Sequence, residues 1–257
     1  MSFVRLDLAY DGSEFAGWAT QPGERTVQED LEGALSQVLG EKIGLTVAGR
    51  TDAGVHAWGQ VASFELAGRE PPSELRRALN ALTGHDVAML GARAVPDGFD
   101  ARRDASSRTY CYRLYCSPQP SPFERGRSLY WPHRIYPGLL ERCAEAVVGR
   151  HDFSAFTPTR TRHVRFERDV LRAEWVRGRS YAPALPHEVG IAELFELWIE
   201  ANSFLRGMIR ALVGTMLEVA TGRRDFDDFT ALLAGGSREE AGDSARGHGL
   251  YLASVSY

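Results

Sequence analysis

Lysine is almost absent from this sequence: Lys42 is the one lysine among 30 basic residues, so 29 are arginines. Arginine is the cation that makes forked contacts with phosphate and stacks on bases, although a compositional bias of the source genome accounts for the excess equally well. Cysteine is scarce too. Cys111, Cys116 and Cys143 form no CxxC pair and share no recurring spacing with histidines, which excludes a zinc ribbon or a disulfide framework and leaves buried or idle thiols. No apolar run reaches the roughly 18 residues that span a bilayer, so no membrane segment is expected. The start Met1-Ser2-Phe3-Val4-Arg5 lacks a basic stretch followed by an apolar one. No export signal is therefore expected, and the expected location is the cytoplasm.

Cofactor signatures are missing as well. There is no P-loop, no GxGxxG after a predicted strand and no GxSxG elbow, so nucleotide cofactors and serine hydrolysis have no support. The seven histidines, His56, His85, His133, His151, His163, His187 and His248, show neither the close spacing of a metal site nor an accompanying cysteine pair. No cofactor and no metal are expected.

Charge is distributed unevenly. A net charge of -4 argues mildly against a nucleic-acid partner, because phosphate binding is driven by local positive charge. Arginines nevertheless gather in Arg93 to Arg113, which includes Arg102 and Arg108, and again in Arg160 to Arg179, whereas Asp225 to Asp243 is acidic. A basic face on a net-acidic protein follows from that pattern, with an ordinary solvated surface as the alternative.

The 257 residues suffice for one large domain or two modest ones. Alternation of Val4, Leu6, Leu8 and Tyr10 predicts a strand over Phe3 to Tyr10. Thr26-Val27-Gln28-Glu29 reads as a capping box, followed by Val27, Leu31, Ala34, Leu35 and Val38 at helical spacing until Gly40. Lys42 to Ala48 and Gln60 to Leu66 read as strands around a polar, glycine-bearing segment, Gly49 to Gly59. Leu75, Ala78, Leu79 and Leu82 mark a second helix, and Asp86 to Val95 a further strand. After Pro96-Asp97-Gly98 the series recurs: strand Arg108 to Cys116, helix Leu139 to Val148, strands Asp169 to Val176 and Glu193 to Ala201, a long helix Phe204 to Thr221, a short helix Phe226 to Leu233 and strand Leu250 to Val255. Each half reads βαββαβ. The expected fold class is therefore α+β, with an N-terminal half over 1–105 and a C-terminal half over 106–257. Two such ferredoxin-like halves can join their sheets edge to edge and leave a central cleft.

Three places carry chemistry. Ala48-Gly49-Arg50-Thr51-Asp52-Ala53-Gly54-Val55-His56 packs a cation, a carboxylate and two glycines between two predicted strands; the same residues also suit a plain turn. Asn202-Ser203-Phe204-Leu205-Arg206-Gly207-Met208-Ile209-Arg210 opens the predicted long helix and sets Arg206 and Arg210 one turn apart. Cations there oppose the helix dipole unless an anion sits nearby, either a phosphate or a carboxylate such as Asp52. Tyr110 shares a strand face with Tyr112 and Leu114, as a core tyrosine or as a ring offered to a base.

Tyr10-Asp11-Gly12 with Gly17-Trp18, Thr26-Val27-Gln28, the Ala48 to His56 segment, Phe99-Asp100-Ala101-Arg102, Arg108-Thr109-Tyr110, Asp152-Phe153-Ser154-Ala155-Phe156, the Asn202 to Arg210 segment and Gly249-Leu250-Tyr251-Leu252 follow one another in this order. On these eight segments, over almost its whole length, the chain resembles the tRNA pseudouridine synthase A family. The resemblance implies the pseudouridine synthase fold, a homodimer with a basic cleft, and isomerisation of uridine in the anticodon stem-loop of tRNA, expected at positions 38 to 40. The N1 glycosidic bond breaks, uracil rotates, and C5 bonds to the ribose without redox change. Carried over by motif, Asp52 is the catalytic carboxylate, acting as nucleophile or as proton acceptor. Arg50 helps fill the space left by the flipped uridine, Arg210 pairs with Asp52, Tyr110 stacks on the target uracil, and Leu250 forms an apolar wall. Arg206, Arg102 and Arg108 are weaker candidates for RNA contact. The chain departs from the family pattern at Ala19-Thr20, at Arg206-Gly207 and in an insertion, Tyr181 to Gly190. Two other readings stay open on the residues alone: a noncatalytic tRNA-binding protein or chaperone, and a phosphate-handling metabolic enzyme.

Overall fold

The alternation of Val4, Leu6, Leu8 and Tyr10 produces strand β1 (Ser2–Tyr10), in which these four side chains are buried and those between them half-buried. The computed structural model describes residues 2–66, 70–160, 164–180 and 192–257; the insertion Tyr181 to Gly190, His163 and His187 lie outside them. Two compact units are present: Met1–Arg108 with Tyr251–Tyr257, and Thr109–Leu250.

In the first unit, helix α1 (Val27–Leu39) starts where Thr26 Oγ1 accepts the Glu29 amide at 3.4 Å and stops at Gly40. Its buried stripe is Val27, Leu31, Ala34, Leu35 and Leu39, with Leu39 taking the inward place expected of Val38. Strand β2 (Thr46–Val47) is much shorter than the predicted Lys42 to Ala48. The reason is local capture of backbone donors. The Ile43 amide donates to Ser36 Oγ at 3.4 Å and the Leu45 amide to Glu32 Oε1 at 2.8 Å, so both are satisfied by α1 rather than by a ladder. Strand β3 (His56–Leu66) begins four residues earlier than predicted. Helix α2 (Leu75–Leu82) and strand β4 (Val87–Val95) complete a βαββαβ unit. Antiparallel pairing of β1 with β3 and β4, and of β2 with β3, gives the order 4-1-3-2.

The second unit holds β5 (Ser107–Cys116) from Thr109 on, β6 (Leu129–Trp131), α3 (Pro137–Val147), β7 (Gly149–Asp152), β8 (Glu167–Arg177), β9 (Glu193–Ala201), α4 (Met208–Ala220) and α5 (Phe226–Ala231). The strands run in the order β5-β9-β8-β7, with β6 parallel to β5 and with β7, β8 and β9 antiparallel. Strands β6 and β7 have no sequence signature, being only three and four residues long. Helix α4 carries a mostly apolar inward face, including Ile209, Leu212, Val213 and Met216, with the buried Thr215 among them.

The final strand, β10 (Leu250–Ser256), differs from the expected division at 105/106. Tyr251–Tyr257 belongs with the first unit, because Tyr251 and Leu252 pair in parallel with His56 and Ala57. That pairing also explains the early start of β3. Each unit mixes parallel and antiparallel strand pairing, and the fold class is the α+β class expected. No helix among the described residues is long and apolar enough to cross a membrane.

Candidate active site

The segment Ala48 to Val55 links β2 to β3 and is held at almost every residue by the rest of the first unit. At its base, the Ala48 amide donates to Val61 O at 2.9 Å, and Ala48 packs with Val61 and the fully buried Ala101. Gln60 Nε2 donates to Gly49 O at 2.8 Å. Thr51 is buried, and its hydroxyl lies 2.8 Å from the Tyr10 hydroxyl. Burial of Tyr10 pushes its phenol up to about 12, so the ring remains a neutral hydrogen-bonding post.

Asp52 sits at the first corner of a tight turn closed by the Val55 amide donating to Asp52 O at 3.1 Å. Gly54 has φ +71° there, a conformation that side chains disfavour. Three further motifs clamp this turn. Trp18 donates its amide to Thr51 O at 3.0 Å and Gly54 donates to Phe15 O at 3.3 Å. The Val27 and Gln28 amides, orphan donors of the first turn of α1, bond Gly17 O and Trp18 O at 3.2 and 3.0 Å. Gly12 approaches Val55 so closely that a Cβ there would lie 2.0 Å from Val55 O, and its amide donates to His56 Nδ1 at 3.0 Å. Asp52 is half-buried and Arg50 exposed, on a turn whose neighbours fix its backbone.

Arg108 occupies a different place from a phosphate contact. It is buried at 8% exposure, and its guanidinium donates to Ala48 O at 3.2 and 3.1 Å, Ala105 O at 3.0 Å and Arg102 O at 2.6 Å. It pins the base of the Asp52 segment to the Phe99 to Arg102 turn. Arg102 itself is exposed. Arg108→Met, which leaves those carbonyls short of a donor, is expected to destabilise the protein by roughly 2–4 kcal/mol, read as a fall in Tm; an unchanged Tm would refute this anchoring role.

In the second unit Tyr110 lies on β5, 8% exposed, with its ring edge-on to Phe204 at 5.1 Å. Leu250, 6% exposed, follows a 3-10 turn over Gly247–Gly249. A Cβ at Gly249 would lie 2.8 Å from Tyr112 Cζ. Tyr112 donates its hydroxyl to Arg246 O at 2.9 Å, holding the entry to Leu250. Arg210 donates Nε to Ala245 O at 2.7 Å while the Ala245 amide donates to Arg210 O at 2.9 Å.

Arg206 is not one helical turn below Arg210. Gly207, with φ +70°, breaks the chain into a left-handed residue, so α4 begins at Met208. Arg206 stays exposed in the preceding turn, where its carbonyl accepts from Thr157 Oγ1 at 3.0 Å. The dipole argument therefore applies to Arg210 alone, within the first turn of α4. The Asp152 to Phe156 motif is structural: Phe153 and Phe156 are fully buried, Phe156 packs on Phe229, and Asp152 Oδ1 caps the Ser154 amide at 2.8 Å.

None of the three cysteines is in a disulfide. Burial raises the Cys116 and Cys143 thiols to about 12 and raises that of Cys111 as well, which makes them inert packing groups. Among the described residues no three His, Cys, Asp or Glu side chains are grouped to hold a metal ion. The site residues that sequence reasoning missed are supporting ones, Tyr10, Thr51 and His56, while Arg108, expected to contact RNA, takes a supporting place as well. All four lie in quoted motifs, but their contacts reach across 41 to 60 positions.

Comparison with known proteins gives a consistent result. A family model described as tRNA pseudouridine synthase matches residues 8–103 and 143–257. A protein of Frankia casuarinae named tRNA pseudouridine synthase A is 42% identical over 256 residues, covering 99% of this chain and 89% of that protein. Proteins of the same name from Mesorhizobium japonicum and Bacillus pumilus are 36% and 34% identical, covering 100% and 99% of this chain and 100% and 98% of their own lengths. With a family model matching most of the chain and relatives this similar along nearly all of it, the chain belongs to the tRNA pseudouridine synthase family.

Proposed function

We propose that this isomerase of tRNA uridine acts on the anticodon stem-loop, at positions 38 to 40, with Asp52 as its catalytic carboxylate. The observation that carries the role of Asp52 is its setting: a half-buried acid on a turn fixed by Thr51, Gly12, Trp18 and Phe15. Chemistry on a stacked base requires its extrusion at a cost of a few kcal/mol, and a carboxylate carried on an already fixed backbone has less freedom to lose when the nucleoside arrives. The carboxylate can act there as nucleophile or as proton acceptor.

Tyr110 stacks on the uracil, Arg210 orients the charged groups, Leu250 supplies an apolar wall, and exposed Arg50 fills the gap in the RNA stack. Arg206 and Arg102, both exposed, contact phosphate. The protein works as a homodimer in the cytoplasm; these two features rest on the family resemblance. No cofactor or metal takes part, since the isomerisation needs no redox step and the carboxylate supplies the reacting group.

The test is release of the C5 hydrogen from tRNA labelled in uridine, followed by mapping of the modified positions. Release confined to positions 38 to 40 is the expected result. Binding of tRNA without release would favour a noncatalytic RNA-binding protein. Release from uridines elsewhere would retain the chemistry and overturn the site choice.

Arginine contacts to phosphate also predict steep salt dependence. Affinity for tRNA is expected to fall about 10³-fold between about 50 and 200 mM salt, as for an interface of several phosphate contacts. A flat dependence in a filter-binding titration would contradict the basic surface.

A further inference from the structure

Strand β3 leaves only two of its eleven residues exposed, Glu65 and Trp58. An exposed glutamate needs no explanation, but an indole at 42% exposure does: among side chains it carries one of the largest apolar surfaces, and a strand otherwise buried at this end has no structural need for it. Trp58 is not loosely attached. Its ring stacks on Tyr251 at 4.3 Å and 28°, and Tyr251 in turn stacks on His56 at 4.5 Å and 21°. His56 is held by the Gly12 amide at 3.0 Å. Three rings thus form one near-parallel column, anchored to the backbone at its buried end and carrying its exposed indole at the other.

We propose that Trp58 is a stacking platform for a base of the tRNA substrate, outside the nucleotide that reacts. Every base offers a π face of the size of an indole, so stacking tolerates sequence and suits a splayed or terminal base. The column fixes the rotamer in advance, which removes most of the ordering cost that an exposed side chain incurs on binding. Position favours the same partner. Trp58 lies six residues beyond Asp52 in the same unit, at most about 20 Å of extended chain, a separation that a folded RNA stem-loop spans. Exposed Arg50, which fills the gap in the RNA stack, stands on the segment leading into the same strand. A protein partner fits less well, because a stable interface needs on the order of 800 Å² from each side with an apolar centre, and the neighbours of Trp58 on β3 are the buried Ala57 and the half-buried Gly59. The placement beside the substrate rests on the reading of Asp52 as catalytic; the stacking itself rests on the column.

Trp58→Ala, Trp58→Leu and Trp58→Phe test it, with tRNA affinity measured by filter binding. The Ala and Leu variants are expected to bind tRNA about 5- to 100-fold more weakly, the range of one lost aromatic–base stack. The Phe variant should recover most of the loss, since a ring and not mere apolarity is required. Tm and molecular mass should be unchanged in all three. Unaltered affinity in Trp58→Ala overturns the proposal. So does a loss that follows a change in molecular mass, which would make the indole part of a contact between copies, or one that follows a large fall in Tm, which would make it a packing residue. Because the readout is binding, it is separate from the turnover that decides the role of Asp52.

Discussion

Asp52→Asn is expected to lower turnover by at least about 10³-fold, inside the range seen when a positioned acid or base is removed, and to leave tRNA affinity within about tenfold of the unaltered protein. The amide is nearly isosteric with the carboxylate, and the bonds that shape the turn come from the Val55, Trp18 and Gly54 amides and from Thr51, none of which needs the charge of Asp52. What disappears is the anion, and with it both chemical options, attack on the ribose or base and acceptance of a proton. The measurement is C5 hydrogen release under single-turnover conditions, where binding and chemistry separate. Turnover that persists in the amide variant with an intact fold would remove Asp52 from the mechanism. A matching loss of tRNA affinity would instead assign it to binding.

Gly214→Ala should reverse the usual rule for helices. Inside a helix alanine is favoured over glycine by about 1 kcal/mol, yet at position 214 of α4 the added Cβ would lie 1.7 Å from Asp243 O and 2.9 Å from its carbonyl carbon. Backbone lies on both sides of the clash, so no side chain can swing aside. The segment that must retreat is tied down by Gly242 N donating to Thr215 Oγ1 at 3.0 Å and Ala245 N to Arg210 O at 2.9 Å. A destabilisation of about 3 kcal/mol is expected, at the upper end for overpacking, which lowers Tm by roughly 6–12 °C in a chain of this size. The shift also moves Ala245 O, the acceptor that holds Arg210 Nε at 2.7 Å, so kcat/KM should fall at temperatures where the variant is still folded. A rise in Tm, the outcome that helix propensity alone dictates, would refute the close approach.

The two variants probe different kinds of information. Position 52 is legible as a candidate from the chain alone, because Gly-Arg-Thr-Asp-Ala-Gly between two strands and the wider family resemblance point to it. Position 214 is not, since glycine in a helix reads as a mild defect until Asp243 is seen to cross it. Arg108 belongs with the second kind: an arginine in a basic cluster reads as a phosphate contact, whereas burial against three carbonyls makes it a post under the Asp52 segment. Arg206 shows the same limit at shorter range. Its spacing from Arg210 predicts neighbours on one helix, and the left-handed Gly207 separates them.

By itself the sequence determined what depends on neighbours a few residues away. The period of β1, the Thr26 cap and Gly40 stop of α1, the bounds of β9 and the βαββαβ order of the first unit all follow from side-chain spacing and turn chemistry. Tertiary structure decided what depends on partners far along the chain. The parallel pairing of Tyr251 with His56 places the last strand in the first unit and lengthens β3. Amide capture by Ser36 and Glu32 shortens β2, and the column of His56, Tyr251 and Trp58 assembles rings that lie some 200 residues apart along the chain. The physical reason is the same in each case. A backbone donor or a ring face bonds whatever partner the folded chain brings to it, and sequence spacing reports only the partners that are already close.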